Sequence, residues 1–229
     1  MAHQPTQQPT YQAAMAQEWE SFKTPPAIQT ATPPKPGDKA PVHPNLELPK
    51  DKPTVIVFLR HCGCPFAEKV FKILTHLSSQ HKNVHFIAVS HSSPEATERW
   101  VIQVGGNWDV EVVIDHEREL YAQWGLGMST TWHVLNPRVL YQTLQLGKTE
   151  GIWNRACESG TRWQTAGAFA VAAVADAADA EEGGGKVCWA HVAGSADDLP
   201  DLAAALGALG IEAKMPPKPI VEESSGGIP

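Results

Sequence analysis

Arg60, His61, Cys62 and Cys64 stand within five residues of one another, and together they carry the side-chain types of thiol redox chemistry. The thiolate is the reactive form of cysteine, and a helix N-terminus or an adjacent cation favours it. Arg60 and His61 precede the cysteines, and either would add positive charge; arginine is the better candidate because it stays charged at any working pH. A thiolate so placed attacks a peroxide O–O bond to give sulfenic acid, or attacks a disulfide. Cys64 reads as the nucleophile and Cys62 as the thiol that resolves its oxidised form. Their one-residue spacing makes a strained loop, so a bond between them would be a labile catalytic or regulatory state and not a staple. Cys157 is a second candidate resolving thiol, and Cys188, in an expected strand, reads as an inert buried residue. Zinc held by His61, Cys62 and Cys64 is a poor fit, because the two-to-four-residue gap usual between ligating cysteines is missing. We therefore expect no metal and no cofactor.

The elements around the cysteines must place them. Residues 55–59 are a continuous apolar, β-branched run, as in a central strand buried on both faces. Pro65 suits a first helical position, and Val70, Ile73, Leu74 and Leu77 form a helical stripe to about residue 80. Cys64 then falls at the helix N-cap. Strands are expected at 84–90 and 110–114, and helices at 94–104, capped by Ser92 or Ser93, and at 117–124. The stretch 126–165 is irregular, with a helix from 137 to about 146 and a turn near 153–157. A hairpin follows at 168–175 and 186–192, its connection 176–185 acidic, glycine-ended and mobile. A helix over 197–209 with Ser195 as cap closes the domain. Alternating strands and helices followed by a hairpin imply an α/β domain with a central mixed β-sheet flanked by helices.

Both ends differ from this pattern. Residues 1–35 are rich in proline and glutamine and read as a disordered tail with a short helix near 11–23; 36–210 is the folded domain, and 211–229 a second disordered tail. A net charge of −7 argues against a nucleic-acid partner. No apolar run approaches the roughly 18 residues a membrane span needs, and residues 1–8 lack a secretory pattern. We expect a cytoplasmic protein with four cysteines that form no disulfide framework.

Pro36-Gly37-Asp38-Lys39-Ala40-Pro41 resembles the opening segment of peroxiredoxins, and residues 55–60 followed by Cys64-Pro65-Phe66-Ala67-Glu68 resemble their peroxidatic strand and helix. Residues 115–125 and 163–169 extend the resemblance, to the peroxiredoxin-like AhpC/TSA family, over about 36–209. It implies a thioredoxin-like fold, an antioxidant oxidoreductase activity and Cys64 as the reactive cysteine. His61 stands where typical members have Thr or Ser, Ala67 where some have a second cysteine, and Thr165-Ala166 where thioredoxins have a cis-proline. Cys62 thus takes the resolving role from the other side.

The leading expectation is a thiol-dependent oxidoreductase reducing peroxides or disulfides, with Cys64, Cys62, Arg60 and His61 catalytic and Trp132, Trp163 and Gln164 binding substrate. Its partners would be a small-molecule substrate or a thiol reductant, and a homodimer is open. A second reading keeps the fold but does non-redox chemistry on a small organic molecule, in a pocket walled by Trp132, Trp153 and Trp163. A third is a non-catalytic binding protein that engages a partner through its N-terminal helix or tail.

Overall fold

A computed structural model of the chain describes residues 11–174 and 185–216. The expected connection 176–185, Gly185 apart, and the C-terminal tail beyond residue 216 lie outside the described residues. After a first helix, α1 (Tyr11–Glu20), the chain forms β1 (Thr54–Phe58), α2 (Pro65–Gln80), β2 (His85–Ser90), α3 (Pro94–Gln103) and β3 (Val110–Ile114). There follow α4 (Glu119–Gln123), α5 (Thr131–Leu135), α6 (Pro137–Glu150), β4 (Gly167–Val171), β5 (Val187–Val192) and α7 (Leu202–Ala208).

The five strands form one mixed sheet in the order β3-β2-β1-β4-β5. β1, β2 and β3 run parallel, while β4 and β5 are antiparallel to their neighbours. β1 is buried along its whole length, as its unbroken Thr-Val-Ile-Val-Phe run requires. Because side chains alternate across a strand, Val55 and Val57 pack with Phe71, Leu74 and Leu77 of α2, while Ile56 and Phe58 pack with Tyr121, Trp124 and Phe169 on the other face.

This topology gathers the chemistry at one sheet edge. The parallel strands β1 and β2 end there together, Phe58 facing Val89, and the antiparallel β4 begins there, Gly167 facing Phe58. The Tyr121 hydroxyl ties the ends of β1 and β2, donating toward the Leu59 carbonyl (2.6 Å) and the Val89 carbonyl (2.8 Å).

Three expectations need correction. The closing helix starts at Leu202, capped by Asp201, whose carboxylate accepts from the Ala203 and Ala204 amides; Pro200 forbids a helix running through from 197. Residues 153–157 form no helical turn, and α5 precedes α6 where no helix was expected. The N-terminal segment, expected to make few contacts, lies against the domain from Glu18 onward: Ala31 donates its amide to the Ala122 carbonyl, and Pro33 packs so closely on Gly125 that a Cβ there would come within 2.3 Å of it.

Candidate active site

Cys64 is the N-cap of α2, with extended backbone (φ −70°, ψ 126°) and no side-chain capping bond, so the free amides of the first turn lie beside it. The turn that delivers it closes when the Cys64 amide donates to the His61 carbonyl at 3.1 Å. Gly63 sits in that turn at φ +112°, where a side chain is strained, and its missing Cβ leaves room for the chain at 155–156. A Cβ at Gly63 would come within 2.7 Å of the Ala156 carbonyl oxygen. The Arg155 amide uses this approach to donate to the Gly63 carbonyl at 2.9 Å. The irregular segment after α6 is therefore a cover over the cysteine turn.

The Arg60 guanidinium faces Cys64, Nη1 lying 3.7 Å from Sγ. Its Nη2 donates to the Arg162 carbonyl at 2.6 Å, and its Nε is buried without a partner. Arg60 is only 4 % exposed and has no carboxylate ion pair among the described residues. A buried cation without a counter-ion favours negative charge on whatever faces it, and here that is a sulfur. Two unit charges 4 Å apart at an effective dielectric near 20 attract by about 4 kcal/mol, whereas a helix N-terminus contributes up to about 2 kcal/mol. Arg60 is the larger influence. Glu68, one turn into α2, would oppose it, but its buried carboxylate is neutralised by Lys72 (2.7 Å) and Arg155 (3.1 Å).

Cys62 has a different environment. Its sulfur lies 3.6 Å from Ser90 Oγ and 3.7 Å from Thr97 Oγ1, and its amide donates to Ser92 Oγ at 3.2 Å. Burial pushes its pKa above the ordinary thiol value, against the hydroxyl contacts, which lower it, and Glu158 adds to the rise. Cys62 also lines a cleft of about 250 Å³ between α3 and the cover, with Trp100, Gln103, Arg155 and Glu158 around it. Arg60 borders a separate void of about 20 Å³, with Phe66, Val70 and Gly167, large enough for little more than one water. Both thiols are free.

Neither buried histidine of the site, His61 or His91, supplies positive charge. His61 is buried, and burial first, then Arg60 and Arg162, push its pKa well below the ordinary value. Of the two cations expected from the sequence, only Arg60 serves. His91 is lowered to about 4 for the same leading reason, and its Nε2 meets both the amide and the carbonyl of Thr161.

The expected substrate residues are not assembled into a pocket. Trp132 is 72 % exposed on α5, Trp153 covers Gly147, and the Trp163 indole donates to the Phe22 carbonyl at 2.9 Å. Gln164 is buried and its amide is used within the fold, donating to the Leu126 carbonyl at 2.8 Å. Cys157 is buried in the cover, its pKa pushed up to about 11 by burial. Cys188 is half-buried, more open than its expected core position. No sequence signal marks Ser90, Thr97, Tyr121 or Arg162 as site residues, and Ser92 carries one only as a candidate helix cap beside Ser93, which is the cap in the structure.

A family model described as AhpC/TSA antioxidant enzyme matches residues 73–193, just over half of the chain. The chain belongs to that family. The match begins inside α2, beyond Cys64, so membership rests on the segment from α2 to the end of β5 and not on the cysteines. Among solved structures, the peroxiredoxin-like protein from Aquifex aeolicus is 14 % identical, with a TM-score of 0.53, and 80 % of this chain and 91 % of that one are covered. The thiol peroxidase from Chromobacterium violaceum (14 %, TM-score 0.46, coverage 80 % and 91 %) and peroxidoxin BcpB from Mycobacterium tuberculosis (14 %, TM-score 0.48, coverage 77 % and 96 %) are also similar. At such identity the likeness is one of fold, and that fold is the thioredoxin-like α/β fold of this AhpC/TSA family member. No curated protein matches the sequence. Among the described residues, no helix is long and apolar enough to cross a membrane.

Proposed function

We propose that this AhpC/TSA family member is a thiol-dependent peroxidase in which Cys64 is the nucleophile and Cys62 the resolving thiol. The observation that carries the reading is the buried Arg60 guanidinium, without a carboxylate partner among the described residues, 3.7 Å from the Cys64 sulfur at the N-cap of α2. The Cys64 thiolate attacks the terminal oxygen of a peroxide ROOH, the O–O bond breaks, and RO⁻ leaves and takes a proton from water. The sulfur is oxidised by two electrons to sulfenic acid and the peroxide is reduced to ROH. Arg60 holds the negative charge first on sulfur and then on the departing oxygen.

Cys62 then attacks the sulfenic sulfur, forming the Cys62–Cys64 disulfide and releasing water. Two thiols of an external reductant restore both cysteines and leave as their own disulfide. The cleft beside Cys62 supports an approach of that reductant from the α3 side. Cys64 is only 2 % exposed and the chain at 155–156 packs over its turn, so peroxide access requires that part of the cover to move while Arg162 stays in place.

The test is single-turnover oxidation of the reduced protein by hydrogen peroxide and by an alkyl hydroperoxide, with the modified cysteine located by mass spectrometry. Sulfenic acid at Cys64 in the Cys62→Ser variant, and none at Cys62 in the Cys64→Ser variant, is the expected result. No oxidation of Cys64 faster than that of a free thiol would sink the reading.

A further inference from the structure

Arg60 owes its place to the Arg162 carbonyl, and Arg162 lies in a stretch that is neither helix nor strand. The backbone on either side is fastened from within the domain, Thr161 by His91 and Trp163 by the Ser129 amide, which donates to its carbonyl at 2.6 Å, while the Trp163 indole reaches the Phe22 carbonyl. Among the described residues, every other polar contact of Arg162 goes to the N-terminal segment. The Arg162 amide donates to the Ser21 carbonyl (3.1 Å), Nε to Ser21 Oγ (3.0 Å), and Nη2 to the Glu18 carboxylate. The guanidinium also lies over the Phe22 ring, 4.7 Å from its centroid. Glu18 accepts from the Cys157 amide at 2.7 Å as well, so one carboxylate joins the segment to the cover at two points.

The contacts form one unbroken path: Glu18 and Ser21 to Arg162, Arg162 to Arg60, Arg60 to Cys64. We propose that Glu18 and Ser21 are positioning residues of the thiol site, holding Arg162 so that its carbonyl keeps the Arg60 guanidinium against Cys64. The inference rests on the reading of Cys64 as the reactive thiol. A guanidinium with one strong acceptor and an unpartnered Nε has little else to fix its orientation. When Arg162 is released, Arg60 can turn away from the sulfur and the thiolate loses its nearest cation. The N-terminal segment is then a part of the site and not an appendage to it.

The experiment uses the full-length chain with Glu18→Gln, Ser21→Ala, the double variant, Arg162→Ala and the conservative Glu18→Asp. Cys64 alkylation by iodoacetamide is followed against pH by peptide mapping, beside peroxide oxidation and thermal unfolding. The double variant should slow Cys64 alkylation at neutral pH about tenfold, because the cation that favours the thiolate no longer faces it. Arg162→Ala should do the same, and adding it to the double variant should cost nothing further, because both act through one path. Glu18→Asp, which keeps the charge, should stay within about threefold of the parent. Equal curves for the parent and the double variant, with thermal unfolding unchanged, overturn the inference. Failure of peroxide to oxidise parental Cys64 overturns the peroxidase reading instead, since the alkylation curve needs only the thiol.

Discussion

The Arg60 guanidinium and the Cys64 sulfur are four positions apart in sequence and 3.7 Å apart in space, one at the exit of β1 and the other at the cap of α2. The turn between them folds back so that a buried cation without a carboxylate partner among the described residues looks at a thiol. The first prediction follows from that pair. Arg60→Met, which keeps the bulk and removes the charge, should slow peroxide oxidation of Cys64 about a hundredfold, equivalent to about 3 kcal/mol of transition-state stabilisation. Stopped-flow kinetics at several peroxide concentrations measures it; a change of less than threefold would assign the activation elsewhere.

Cys62 should act after the first oxidation and not in it. Cys62→Ser should leave the rate of Cys64 oxidation within about threefold, while sulfenic acid accumulates and turnover with a dithiol reductant falls at least tenfold. The physical reason is the raised pKa of Cys62, set by burial, and the hydroxyls of Ser90 and Thr97, in place of a guanidinium, that its sulfur meets among the described residues. Reversed roles would appear as loss of the first oxidation in Cys62→Ser and its survival in Cys64→Ser.

Gly63 should tolerate no side chain. Gly63→Ala places a Cβ 2.7 Å from the Ala156 carbonyl oxygen at a residue with φ +112°, so backbone strain and a clash with a second strand of chain add together. We expect a loss of about 2–4 kcal/mol in urea unfolding, with faster proteolytic cleavage near 151–157. An alanine variant as stable as the parent, with the same protection of that segment, would contradict the packing described.

Stability should fall as pH drops from about 6.5 toward 4. His91 has its pKa lowered to about 4 by burial, so in this window the unfolded chain binds a proton that the folded chain refuses, and the native state loses ground. The full window is worth about 3 kcal/mol for this residue, and His61, lowered in the same sense by burial, adds to the loss. Asp115 works the other way at the acid end, its pKa raised by burial. Urea unfolding of the parent and of His91→Gln at pH 7 and pH 4.5 measures the difference, which should shrink in the variant.

Much of the frame was legible from local pattern. The β-branched run of β1 and the stripe of Val70, Leu74 and Leu77 set a buried strand and an amphipathic helix, and Pro65 marked the helix start one residue after Cys64. These are short-range signals: a period of two or of 3.6, and a residue whose missing N–H suits a first turn. Where the expectation failed, a local signal was weighed wrongly or was not local at all. Pro200 breaks the helix expected over 197–209, and the tryptophans of 126–165 share a composition but no site: Trp132 is exposed, Trp153 lies on Gly147 and Trp163 donates to the Phe22 carbonyl.

The amino-acid sequence by itself determined that a cysteine would stand between a buried strand and a helix, with an arginine four positions before it. It also determined, through the order of strands and helices, a mixed sheet with its parallel ends on one side. Only the tertiary structure decided what those residues meet. Arg60 is oriented by a carbonyl 102 positions away, and the Arg162 guanidinium is held by Ser21 and Glu18, 141 and 144 positions before it. No periodicity encodes such contacts, because they arise where an irregular segment meets the end of α1 and the turn after it, brought together by the closing of the sheet. The proline-rich composition after α1 reports the absence of regular hydrogen bonding, and that is equally true of a disordered tail and of the extended stretch that packs through Ala31 and Pro33 on Ala122 and Gly125.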